Sequence, residues 1–148
     1  MLRGKVVVFG LALVALIGGC GSSDSDSLTK AEFVEQGNAI CREAAKNKDA
    51  AIFAYLKENQ RSKPTPELER TLVVSVAMPP IQTMHEELDE LEAPSDDEEQ
   101  VDAIVSAYAG GIEKIEADPV GALAGSRQPF SEADKLAARY GLSSCAEI

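Results

Sequence analysis

The 148-residue chain carries 14 basic against 25 acidic residues, a formal charge of −11. That excludes a nucleic-acid binder, which presents a basic footprint to phosphate, and a protein that lies flat on an anionic lipid surface. With 45% hydrophobic and 26% charged residues, the chain reads as globular, and its length suits one domain with a real core.

Arg3 and Lys5 give a short basic start, and Val6 to Ile17 follow without a charge. This run is too short for a membrane span, which takes about 20 apolar residues to cross about 30 Å of hydrocarbon. It fits the apolar centre of a secretory signal peptide. The segment ends Leu16-Ile17-Gly18-Gly19-Cys20, which resembles the lipobox of bacterial lipoproteins, with Gly18 standing where Ala or Ser is commoner. The resemblance implies that Cys20 receives a diacylglyceryl group and that cleavage removes residues 1–19. It also implies export to the outer face of the cell membrane, with Cys20 as the anchor. One acyl chain binds a membrane marginally, whereas two hold a protein firmly. An ordinary signal peptide with Cys20 as a leftover thiol, and an uncleaved anchor, are the alternatives.

Removing nineteen of the 148 residues takes away Arg3 and Lys5 and leaves 129 residues with 12 basic against 25 acidic groups, formally −13. Such a charge serves solubility. With Cys20 assigned to lipid on the strength of that resemblance, Cys41 and Cys145 remain as a single possible pair, in a compartment where disulfides persist. No Cys-x-x-Cys redox pair is present.

Residues 20–28 comprise the lipidated cysteine and a flexible tether, since Gly21 to Ser27 contain no apolar residue. Seven residues reach at most about 25 Å. The helical domain is expected over residues 29–148. Thr29 and Glu32 form a capping box, with Leu28 and Phe33 as its apolar staple. Phe33, Gly37, Ile40, Cys41, Ala44, Ala51, Ile52, Tyr55 and Leu56 then recur at helical spacing. Lys46 to Asp49 weaken the middle, so one long helix and two collinear pieces are both open.

After a loop at Arg61 to Pro64, Thr65 caps a second helix with Pro66 at its first position. Leu68, Leu72, Val73 and Val76 form its apolar face. Met78-Pro79-Pro80 predicts a kink or break, because each proline lacks an N–H and crowds the carbonyl four residues back. Ile81, Met84, Leu88 and Leu91 resume the pattern. Ser95 to Glu98 reads as a second capping box. Val101, Ile104, Val105, Tyr108, Ile112 and Ile115 make the cleanest stripe, in which Gly110-Gly111 suggests a close helix crossing. Residues 120–129 give no clear signal. Ser131 opens a short last helix with Leu136, Ala137 and Tyr140 on one face, Gly141 in the left-handed position and Leu142 as the apolar contact of a Schellman motif. A bridge from Cys145 to Cys41 would pin this helix onto the first.

No strand-like alternation and no internal repeat is present. The reading is an all-α bundle of four or five helices with short loops. Phe33, Ala39-Ile40-Cys41, Tyr140-Gly141-Leu142 and Cys145 resemble small helical exported proteins of actinobacteria, a likeness that carries over no functional residue.

His85 and Asp89 lie one helical turn apart, a spacing open to two metal ligands, but a closed site needs two more. The acidic runs at 86–92 and 96–99 lack the spacing of a calcium loop and read as solvated helix faces. No nucleophile elbow or phosphate loop is present. The expectation is a non-enzymatic exported lipoprotein without a cofactor. Its first reading is a protein-interaction module with an envelope partner, and its second a carrier of a small lipid, peptide or metal.

Overall fold

The computed structural model describes residues 27–121 and 128–148. The expected signal peptide, Cys20 and the tether up to residue 26 lie outside the described residues. All regular structure among the described residues is helical, with no strand. It comprises α1 (Lys30–Asn59), α2 (Pro66–Thr71), a π-helical turn (Leu72–Ala77), α3 (Met78–Glu90), α4 (Glu98–Ala117), α5 (Ser131–Tyr140) and a closing 3₁₀ turn (Cys145–Glu147). Because α2, the π turn and α3 run on without a gap, the described residues form four rods. Of the connections between them, residues 122–127 are not described. α3 packs between α1 and α4, α4 packs against α5, and the 3₁₀ turn bridges α5 back to α1, closing the ring.

α1 is a single 30-residue helix, about 45 Å long. Lys46 to Asp49 do not interrupt it, because polar and charged residues on an exposed face are compatible with helix. Its N-terminal box forms as expected: Thr29 Oγ1 accepts from Glu32 N at 3.3 Å, and Thr29 N donates to Glu32 Oε2 at 2.9 Å. Only its first half is core, through Phe33, Gly37, Cys41 and Ala44. The expected continuation of the stripe is corrected: Ala51, Ile52 and Tyr55 are half-buried and Leu56 is exposed. The reason is geometric: the end of α1, at Tyr55, Leu56 and Asn59, lies against Leu68 and Glu69 of α2 and Leu72 of the π turn.

Of the kink or break expected at Met78-Pro79-Pro80, the break does not occur. The helix widens just ahead of the prolines instead of ending there. Met78 N donates to the Val73 carbonyl, five residues back rather than four. Pro79 and Pro80 cannot donate, and their rings crowd the carbonyls of Ser75 and Val76. One wider turn moves those carbonyls aside and keeps the rod continuous.

The capping box at Ser95 does not form. α4 starts at Glu98 with Asp97 as N-cap, without a side-chain cap bond. Tertiary partners claim Asp97 instead: its carboxylate lies 3.2 Å from Lys30 Nζ and accepts from Tyr140 Oη at 3.1 Å and Gln100 Nε2 at 2.8 Å. Burial opposes ionisation of Asp97, but these donors outweigh it and hold the carboxyl below its ordinary value. Lys30 also stacks 4.1 Å over the Tyr140 ring, and Phe33 meets that ring edge-on at 5.8 Å. Burial and the bond to Asp97 push the Tyr140 hydroxyl up to about 12.

Gly141 (φ 112°) caps α5, a conformation that costs glycine little. Leu142 N donates to the Ala137 carbonyl at 2.9 Å, the six-to-one bond of a Schellman motif, and the Leu142 side chain is buried. Cys41 and Cys145 are bonded, with Cα atoms 4.9 Å apart, and neither is exposed. Asn38 reinforces the latch. Its amide donates to the Gly141 carbonyl at 3.0 Å and accepts from Ser144 N at 2.8 Å.

Candidate functional site

The site is built where the irregular rod faces α4 and the start of α5. Gly111 on α4 leaves room for one aromatic ring. A side chain there would come within 2.5 Å of Phe130 Cε1, so Phe130 turns inward, with its ring centroid 6.0 Å from that of Tyr108. Gly110 meets nothing within 4 Å. The expected helix crossing at Gly110-Gly111 is therefore a ring seated on one glycine.

Phe130 and Ile115 form one side of a cleft of about 250 Å³, and Val73, Met78 and Ile81 form the other. The wider π turn sets the register that carries Val73 and Ala77 onto this cleft. Such turns recur at functional sites because they re-aim side chains within a continuous helix.

Two charged side chains reach the cleft, and they differ in their partners. Lys48, from α1, donates to a backbone oxygen of Ile148. Asp134 stands one turn along α5 from Phe130, half-buried. Among the described residues its carboxylate takes no hydrogen bond and no ion pair. Partial burial raises its pKa above the ordinary value, the response of a carboxylate that has lost some of its water. Tyr108 does not supply that donor, because its hydroxyl donates to the Cys145 carbonyl at 2.9 Å. Burial first, and the Asp134 charge second, push the Tyr108 hydroxyl up, so it is a neutral donor and not a base.

Comparison with family models, with curated proteins and with solved structures finds no match.

The structure joins Cys41 to Cys145 and keeps both out of the cleft. His85 and Asp89 share α3, with His85 half-buried and Asp89 exposed. Among the described residues His85 Nε2 has no partner, and His85 lines a hollow of about 370 Å³ beside Gln82, Glu86 and Glu113. Among the described residues no three potential metal ligands converge. The acidic runs at 86–92 and 96–99 are exposed apart from Leu88, Leu91 and Asp97. A hollow of about 340 Å³ between α1 and α3 is walled by exposed Glu43 and Glu87 over buried Ala44 and Met84, whereas the Asp134 cleft has buried Val73, Met78, Ile81 and Ile115 among its walls. Sequence reasoning missed Asp134, Lys48 and Phe130. Asp134 could have been found as a carboxylate beside the Ala133–Ala137 apolar positions of α5. Lys48 and Phe130 carry no local signal.

Proposed function

We propose that the chain is an exported, lipid-anchored binding protein that carries a small, largely apolar ligand in the Asp134 cleft and performs no catalysis. The supporting observation is the combination in one cleft of apolar walls and a carboxylate without a partner among the described residues. Concave apolar sites with few, placed polar groups are the usual form of a small-ligand site. At about 250 Å³ the cleft lies below the ~300–1,000 Å³ of sites that hold drug-sized ligands, so the ligand is small or inserts only one end. The lipobox resemblance at Leu16 to Cys20 supports anchoring, and no helix among the described residues is long and apolar enough to cross a membrane.

Anchoring is tested by the intact mass of the protein from its native membrane fraction. A mass that starts at Cys20 and carries acyl groups supports it, and an unmodified mass refutes it. Ligand binding is tested by thermal shift against a library of small amphipathic molecules, since a ligand that binds only the folded state raises the melting temperature by mass action. A substitution that fills the cleft, Ala77→Phe, must abolish any shift.

A second reading, contact with an envelope protein, is favoured by the distal half of α1, where Phe53 is 71% and Leu56 52% exposed. In situ crosslinking from position 53 would then trap one discrete partner, and a scatter of unrelated proteins would refute it.

A further inference from the structure

We infer that the cleft selects a ligand bearing a protonated amine on an apolar body, with the ammonium group held by Asp134. The inference rests on the carrier reading and adds the ligand's chemical class. Of the two charged side chains at the cleft, Lys48 already holds a backbone oxygen of Ile148, so an anionic ligand would have to displace a bond that exists. The Asp134 carboxylate has no partner among the described residues, so a cationic ligand would displace no bond described there. The Asp134 carboxylate is half-buried and still meets solvent; a ligand whose hydrocarbon part covers Val73, Ile115 and Phe130 sheds that remaining water, and an ammonium group compensates the loss. Desolvation also sharpens selection. A neutral isostere buries the same apolar area but leaves the carboxylate unpaired. The net negative charge of the chain adds long-range attraction for cations, which is non-selective and screened by salt.

The test is isothermal titration calorimetry on the full chain held in zwitterionic lipid nanodiscs, with empty nanodiscs as the blank. The probes are phenethylamine, its neutral isostere 2-phenylethanol, phenylacetate and methylammonium, at moderate salt. Phenethylamine is expected to bind on the order of tenfold more tightly than 2-phenylethanol, the advantage of one charge-assisted bond, and phenylacetate more weakly still. Asp134→Asn should bring amine and alcohol to equal affinity, Lys48→Met should leave the amine preference in place, and Ala77→Phe should remove binding of all aromatic probes. Helicity measured by circular dichroism checks that each variant folds. Equal affinity for amine and alcohol in the native chain, a preference for phenylacetate, or an amine preference that survives Asp134→Asn overturns the inference while leaving the carrier reading intact. Methylammonium binding as tightly as phenethylamine means surface attraction alone and likewise overturns it. Aromatic probes that bind neither the native chain nor Asp134→Asn, or that bind Ala77→Phe unchanged, overturn the carrier reading along with the inference.

Discussion

Replacing Cys41 or Cys145 by alanine should be the most damaging small change in this protein, and the two changes should not add. The bonded cysteines are 104 residues apart. In the chain-entropy account a loop of about that size constrains the unfolded chain by about 4.7 kcal/mol. Each replacement also removes one fully buried sulfur, a smaller loss on the order of 1 kcal/mol for the contacts and the void. A single variant should therefore lose about 4–6 kcal/mol. The double variant should lose only about 1 kcal/mol more, because the crosslink can be lost once. Against a typical stability of about 5–15 kcal/mol, these losses bring the fold near its limit. The assay is urea unfolding at room temperature followed by far-ultraviolet circular dichroism, on the wild type, both single variants and the double variant, arranged as a cycle. Additive losses would refute the reasoning, and so would a loss below about 1 kcal/mol in the singles. A companion measurement uses the inaccessibility of both sulfurs: reductant should leave the folded wild type bonded and cleave the bridge only as denaturant unfolds it.

The two adjacent glycines should respond in opposite senses. Gly111→Ala should destabilise the protein by about 1–3 kcal/mol through collision with the Phe130 ring, whereas Gly110→Ala, with open space around it, should stabilise it by about 0.5–1 kcal/mol; equal effects in thermal melts would refute the packing at Phe130. Asp97 has a folded pKa lowered from 3.8, so its contribution to stability is present above that value and is lost as pH falls through the still lower folded value. Asp97→Asn should accordingly melt below wild type at neutral pH, and the gap should close under acid; a gap independent of pH would refute the ion-pair account. Asp134 has the opposite sign: its folded pKa is raised from 3.8, so folding favours its neutral form and ionisation above the folded value removes stability. Asp134→Asn should raise the melting temperature at neutral pH and lose that advantage as pH falls below 3.8; a lower melting temperature at neutral pH would mean that the carboxylate is structurally engaged.

Much of the fold was legible because local rules and tertiary packing agree. The capping residues Thr29 and Thr65, the Schellman end at Gly141-Leu142 and the stripes of α3 and α4 each depend on neighbours a few residues away, and each falls where spacing puts it. The departures arise where distant residues compete with a local rule. Asp97 is drawn to Lys30 and Tyr140, 67 and 43 residues away in sequence, and so the Ser95 box does not close. The second half of the α1 stripe is apolar by pattern, but a pattern does not tell how much of a long helix its neighbours can cover. Pro79-Pro80 signalled trouble in the helix, and the remedy, one widened turn, depends on backbone geometry that residue types do not specify. The cleft was the least legible part. Its walls come from α1, the π turn, α3, α4 and the start of α5, and the sequence does not bring these together.

The Cys41–Cys145 bond also determines how the molecule carries mechanical load. Tension applied at Leu28 and Ile148 passes through the crosslink, so only residues 28–41 and 145–148 can be drawn out, the first stretch to a length on the order of 50 Å at full extension. Everything between the two cysteines is a covalent loop shielded from the pull. Phe33 and Asn38 would be stripped from the core before the strain met a single loop residue. Val73, Phe130 and Asp134 all lie inside that loop, and so the cleft should keep its shape under forces that unravel the start of α1.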